Sequence, residues 1–189
     1  DWQYAGTDWR RFEQHTSWRG SEYGGVVGLS AHYEGDGNTN PANLTNDRGD
    51  LLQITADATI QGDGWNAIIA GVWRNIDAPG GTSFDDFGVL VQGGYFVSDQ
   101  TELFARYDVV VPDDNRGATD SDPFNTITAG VNYFLFPKSF AARITGDVAW
   151  YIDEQAGSSS IVRTSSTGGL LASPEKNQVA IRLQFQVLF

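Results

Sequence analysis

The last twelve residues of the chain, 178–189, alternate strictly between apolar and mostly polar side chains. The apolar positions of one parity are Val179, Ile181, Leu183, Phe185, Val187 and Phe189. A period of two residues is typical of a β-strand with one buried face. A tilted strand needs about 9–11 residues to cross a bilayer. The segment therefore predicts a membrane-spanning strand, provided that the rest of the chain repeats its pattern.

The pattern recurs seven times, so the sequence predicts about eight strands. The earlier segments are 23–33, 51–60, 65–74, 87–97, 101–111, 124–136 and 139–152. Short turns at 61–64, 98–100 and 137–138 alternate with long loops at 34–49, 75–86, 112–123 and 153–177. Short periplasmic turns and long extracellular loops are typical of outer-membrane barrels. The predicted fold is an all-β, antiparallel, up-and-down transmembrane β-barrel over 22–189, in the outer membrane, with a periplasmic C-terminus.

Aromatic residues on the predicted lipid-facing parity lie near both ends of the strands. Tyr33, Trp73 and Trp150 fall near the outer ends. Trp65, Tyr95 and Tyr133 fall near the periplasmic ends. Two girdles of amphipathic rings at the two interfaces are expected of a transmembrane barrel.

Composition excludes several other classes of protein. The hydrophobic content is 40%, and no apolar run approaches the roughly 18 residues of a spanning helix. The net charge of −12 argues against a nucleic-acid partner. The chain has no cysteine, which excludes disulfides and thiolate metal sites. It also lacks methionine and a signal-peptide pattern, so we expect a processed protein or a fragment.

Residues 1–21 lack the alternation of the other segments. They hold three of the six tryptophans. We interpret them as a periplasmic or inter-strand segment, with a short helix around Trp9 to His15, or as a segment that follows an earlier strand absent from this chain.

Several phrases resemble the C-terminal half of the phosphate-selective porin O and P family, in particular its planctomycete-type outer-membrane porins. They are TSWRGSEYG at 16–24, ADATIQGDGWN at 56–66, VQGGYFVSDQTELFARYDVVVPDD at 91–114, NTITAGVNYFLFP at 125–137 and the closing QVAIRLQFQVLF. The resemblance implies a roughly sixteen-stranded trimeric channel, of which this chain would supply about half. It implies passive diffusion of small hydrophilic solutes or anions, including phosphate. The alternative is a self-contained eight-stranded barrel, whose interior side chains would fill, acting as an anchor or adhesin.

Charged residues of the inward parity are the candidate pore-lining residues. They are His32, Asp57, Arg74, Arg106, Asp108, Arg143, Asp147 and Arg182, with Glu102 on the same parity. Such charges set ion selectivity when they contact ions. They equally pair across strands and fix the shape of the wall. Asp147 and Arg182 lie at similar heights on consecutive strands and are expected to form such a pair.

The sequence argues against a hydrolase triad and against a calcium-binding loop. Ser30, His32 and Asp57 offer the residue types of a hydrolase triad, but Ser30 and His32 lie two residues apart on one strand, about 7 Å, too far for direct proton transfer. Asp36, Asn38 and Asn40 begin like a calcium loop, but Pro41 replaces the glycine that this loop requires. We therefore predict no enzymatic activity, no metal site and no cofactor. The expected partners are outer-membrane lipid, the diffusing solutes and two further copies of the chain.

Overall fold

Nine antiparallel strands form one sheet in the computed structural model. The structure describes residues 1–37, 49–78, 81–116, 122–154 and 175–188. The strands are β1 (Trp2–Ala5), β2 (Gly24–Gly37), β3 (Gly49–Gly62), β4 (Trp65–Ala78), β5 (Thr82–Phe96), β6 (Thr101–Val111), β7 (Phe124–Phe134), β8 (Ala142–Tyr151) and β9 (Gln178–Val187). Each strand pairs with the next in chain order, which confirms the all-β, up-and-down topology.

The sheet has one strand more than predicted, because the first strand is too short to show a pattern in the sequence. β1 has four residues and pairs with β2 through Trp2 opposite Val27 and Gln3 opposite Val26. The interpretation of 1–21 as lacking a strand is therefore wrong at residues 2–5. The short helix predicted nearby is a single 3₁₀ turn at Trp9–Phe12, capped by the Asp8 carboxylate, which accepts a hydrogen bond from the Arg10 N–H at 3.0 Å.

The loop predicted over 75–86 is wrong. β4 runs to Ala78 and β5 begins at Thr82, so this connection is short. Polar side chains in this segment support the hairpin, because the Asn75 amide donates to Ser83 Oγ at 3.0 Å and to Asp85 Oδ1 at 3.1 Å. The calcium-like pattern at 36–47 and the centres of the loops at 34–49, 112–123 and 153–177 lie outside the residues whose side chains the structure describes.

The register gives the sheet two chemically different faces, since residues opposite each other in a ladder point to the same side. One row across strands β2 to β9 is Val27, Ala58, Ile69, Val91, Tyr107, Ile127, Trp150 and Val179. We name this side the apolar face. The opposite side carries every predicted pore-lining residue, and we name it the charged face. Period-two alternation in the sequence thus reproduces the facing of β3 and of β5 to β9, whereas the segments of β2 and β4 alternate less sharply.

The two ends of the sheet also differ. At the short-turn end, residues 63–64 join β3 to β4, residues 97–100 join β5 to β6, and residues 135–141 join β7 to β8. The other connections between β2 and β9 lie at the opposite end, which we name the long-loop end. Residues 6–23 join β1 to β2 at the short-turn end. Among the described residues, no helix is long and apolar enough to cross a membrane.

Candidate functional site

A buried carboxylate on β6 organises the charged face at the short-turn end. Glu102 is 1% exposed. Its Oε1 accepts a hydrogen bond from the Asn66 amide at 2.8 Å, and its Oε2 accepts from the Asn132 amide at 2.9 Å and from the Thr16 hydroxyl at 3.2 Å. Three donors satisfy this charge as burial requires. Glu102 therefore joins three strands to the segment that precedes β2.

The bond from Asn66 to Glu102 crosses β5 at a glycine. Asn66 lies opposite Gly94 in the ladder. A Cβ at Gly94 would lie 2.6 Å from both Asn66 Nδ2 and Glu102 Oε1. Only a residue without a side chain leaves room for this contact.

Residues 14–21 are held against the charged face by an aromatic cluster. The Trp18 ring lies 5.1 Å from Phe96, 4.7 Å from Phe134 and 4.9 Å from Phe140, measured between ring centroids. Next to it, the Ser17 hydroxyl donates to the Gly62 carbonyl at 2.5 Å. The Gly64 N–H donates to the Trp18 carbonyl at 3.1 Å. The segment is thus docked on the face that carries the charges.

A polar cavity of about 250 Å³ lies between this segment and the sheet. Its lining includes His15, Gln92, Glu102, Arg143 and Gln184. Arg143 donates to Gln186 at 2.7 Å, and its buried Nε has no partner among the described residues. The cavity is an accessible polar space on the charged face.

Farther along the sheet, the arginines of the charged face are paired with carboxylates. Arg182 Nε donates to Asp147 Oδ1 at 2.7 Å, so the pair predicted from strand heights is present. Arg106 Nε lies 3.2 Å from Asp108 Oδ1. These contacts neutralise positive charge on the wall.

A second buried carboxylate lies at the long-loop end. Asp86 is 5% exposed and binds Arg74 at 3.0 Å and Arg116 at 2.5 Å. Its Oδ1 also accepts a hydrogen bond from the Asp113 N–H at 3.2 Å. Arg116 lies in a 3₁₀ turn, Asp114–Arg116, beyond β6. Asp86 thus fastens the start of this connection to β5.

The remaining predicted residues have few partners. Asp57 is exposed on the charged face opposite Gly28, with no basic partner among the described residues. His32 Nε2 lies 4.0 Å from Glu34 Oε2. The structure describes no contact joining Ser30, His32 and Asp57 into a triad, and the absence of enzymatic activity stays a prediction.

Three sets of residues were not predicted from the sequence. They are the buried carboxylate Asp86, the carboxylate-binding side chains of Thr16, Asn66, Asn132 and Arg116, and the aromatic partners of Trp18. Asp86 and Arg116 fell in predicted loops, and Thr16 fell in a segment without a pattern. One signal was available for Asn66 and Asn132, because each is an amide side chain on the inward parity close to the short-turn end of its strand.

Comparisons with known proteins add little to this geometry. No protein-family model and no curated protein matches the sequence. Among solved structures, the chain is similar to the outer-membrane expressed OmpT of Vibrio cholerae, with a TM-score of 0.49 and 19% sequence identity. The alignment covers 69% of this chain and 42% of that one. The chain therefore spans less than half the length of that structure, and a functional assignment depends on the sheet itself.

Proposed function

We propose that this chain forms part of the wall of an outer-membrane β-barrel, in which the apolar face contacts lipid and the charged face lines a water-filled lumen. The lumen serves passive diffusion of small hydrophilic solutes. The single observation that carries this proposal is the two-faced sheet, because eight consecutive long strands present one unbroken apolar side.

The apolar face is exposed over its whole width. On β9, Ile181 and Leu183 are 82% and 81% exposed. Exposed members on the other strands are Leu29, Tyr33, Ile54, Ile69, Phe87, Val89, Val91, Tyr95, Leu103, Tyr107, Ile127, Val131, Tyr133, Ile144, Val148 and Trp150. Monomeric soluble proteins rarely expose a contiguous apolar patch larger than a few hundred Å². Lipid is the environment that fits such a surface.

Strand length and strand ends agree with a bilayer. β2 to β9 have 10–15 residues each, and a tilted spanning strand needs about 9–11. Toward the long-loop end, the indole N–H of Trp150 donates to Asn177 at 3.2 Å. An amphipathic ring with a polar partner suits the membrane interface.

Strand direction supports a barrel larger than this sheet. Because every neighbouring pair is antiparallel, β1 and β9 run in the same direction. No pairing between them is present among the described residues. Bacterial single-chain barrels contain an even number of antiparallel strands. An odd number of further strands would therefore complete this one.

The pairing of β1 with β2 argues against the eight-stranded alternative. Closing it would pair β9 with the free edge of β2. β1 occupies that edge at Gly25, Val26 and Val27. A self-contained barrel of β2 to β9 would require β1 to leave.

In this proposal the short-turn end is periplasmic, and residues 6–21 narrow the lumen there. The long-loop end faces the cell exterior. Trimeric assembly and phosphate transport stay predictions from the porin resemblance.

Single-cysteine scanning along β6 tests the placement of the sheet, because the chain has no native cysteine. Spin labels at Leu103, Ala105 and Tyr107 are expected to collide with lipid-soluble oxygen in vesicles. Labels at Phe104, Arg106 and Asp108 are expected to collide with a water-soluble nickel chelate. Loss of this two-residue alternation would contradict the membrane wall.

Conductance of the folded full-length protein in planar bilayers tests the pore. Discrete ohmic steps are expected from a water-filled lumen. A properly inserted protein without conductance would instead support an anchor or adhesin.

A further inference from the structure

Acidic residues dominate the long-loop end of the sheet. The described residues at this end include eleven carboxylates but only three basic groups. The carboxylates belong to Glu34, Asp50, Asp77, Asp85, Asp86, Asp113, Asp114, Asp122, Asp153, Glu154 and Glu175, and the basic groups to Arg74, Arg116 and Lys176. We name this set the acidic rim. Asp50, Asp77 and Asp85 belong to the ladder positions of the apolar face, so they lie on the outer side of the wall. The other members would create a negative potential at the mouth of a lumen.

The arginines of the charged face do not offset the acidic rim. Arg74 and Arg116 share Asp86, Arg106 binds Asp108 and Arg182 binds Asp147. Arg143 lines the same cavity as Glu102. Four of the five arginines are thus ion-paired, and the fifth, Arg143, hydrogen-bonds Gln186 beside Glu102. A passing anion would therefore meet little net positive charge.

One carboxylate of the wall lacks such a partner. Asp57 lies in the middle part of β3, where Gly28 opposite it provides no side chain to cover it. Its side chain is exposed, and no basic group pairs with it among the described residues. Among the described carboxylates of the middle of the wall, Asp57 is therefore the one without a paired base.

We infer that the pore favours small cations over anions, an inference that rests on the proposed function and names its class of solute. Charges at a pore mouth act over about 8–10 Å at physiological salt, and the surrounding low-dielectric wall focuses their field. Acidic side chains at a constriction or mouth select cations in channels. The acidic rim and Asp57 act in the same sense.

The reversal potential of the full-length protein in a KCl gradient across a planar bilayer measures this selectivity. We expect a K⁺ to Cl⁻ permeability ratio of roughly two or more at 0.1 M salt. The ratio should fall toward one at 1 M salt, because the screening length shrinks to about 3 Å. A ratio at or below one at low salt would overturn the inference and leave the porin intact. An inserted protein without conductance would overturn the proposed function and the inference together.

Matched variants separate a lone charge from a neutral pair. Asp57→Asn removes an unpaired carboxylate and should lower the permeability ratio by roughly a third or more. The double variant Arg106→Gln with Asp108→Asn removes two opposite charges and should leave the ratio within about a tenth of the parent value. Heat-modifiable migration on gels confirms that each variant is folded. An equal drop in both variants, or none in Asp57→Asn, would overturn the argument from unpaired charge.

Discussion

Replacing Trp18 with alanine should release residues 14–21 from the charged face without unfolding the sheet. The Trp18 ring contacts Phe96, Phe134 and Phe140 at centroid distances of 4.7–5.1 Å. Each aromatic pair contributes about 0.5–1.5 kcal/mol beyond the area it buries. Truncating a buried tryptophan to alanine costs about 3–5 kcal/mol in total. Because Trp18 is only half-buried, we take the lower value, about 3 kcal/mol.

That loss acts on a local equilibrium. The segment is tethered to β1 at one end and to β2 at the other, so it can leave the sheet while the ladders persist. A change of about 3 kcal/mol raises the detached population about 100-fold.

Hydrogen exchange in detergent micelles or nanodiscs measures this population. The reporter is the Gly64 N–H, because it donates to the Trp18 carbonyl at 3.1 Å and so joins the sheet to the segment. Its exchange should accelerate about 100-fold, while amides in the middle of β6 keep their protection. Trp18→Phe should give a smaller acceleration of Gly64 exchange, since it keeps an aromatic ring at position 18.

Trp2→Ala is the matched control, because Trp2 is a largely exposed tryptophan on β1. It should leave the Gly64 exchange rate within about threefold of the parent. Unchanged exchange of Gly64 in Trp18→Ala would refute the argument that the aromatic cluster holds the segment. Uniform acceleration through β6 would refute the argument that the release is local.

Three further substitutions test the facing of β9, the hydrogen bonds of Glu102 and the packing at Gly130. Leu183→Arg should weaken membrane insertion by about 2–4 kcal/mol, whereas Gln184→Arg on the opposite face should weaken it by less than about 1 kcal/mol. Urea titration in vesicles compares the stabilities of the two variants, and equal losses would contradict the assigned facing. Glu102→Leu leaves three buried donors unpaired and should destabilise the short-turn end by about 3 kcal/mol or more, seen as a lower melting temperature; no change would mean that these bonds are not formed. Gly130→Val should destabilise the sheet by about 2 kcal/mol, because a Cβ there would lie 2.5 Å from Phe104 Cζ and 2.7 Å from the Gly146 carbonyl oxygen. A neutral result on thermal melting would contradict this close packing of β7 against β6 and β8.

The long strands could be predicted because their pattern is local. β6 matches the predicted 101–111 at both ends, since alternation and flanking turn residues agree there. The facing of each residue follows from parity once one charged position is fixed. The pairing of Asp147 with Arg182 was predicted from their similar heights on consecutive strands, and the unshifted register of β8 and β9 places them opposite each other.

The buried polar contacts could not be predicted because they join distant parts of the chain. The partners of Glu102 lie 30 to 86 residues away. The hairpin between β4 and β5 was missed for another reason. Its polar residues are those that also favour loops, and only their bonding across the ladder distinguishes the two. The four residues of β1 carry too few positions to reveal a period.

The free edge of β9 has a consequence for how the barrel is assembled. Backbone groups on that edge have no partner strand among the described residues. In hydrocarbon, each unpaired N–H or C=O costs several kcal/mol. A sheet of this kind would therefore be stable in water-free lipid only after both edges are joined. Insertion and closure become thermodynamically coupled, and the last ladder to form is the one that permits the others to remain in the membrane.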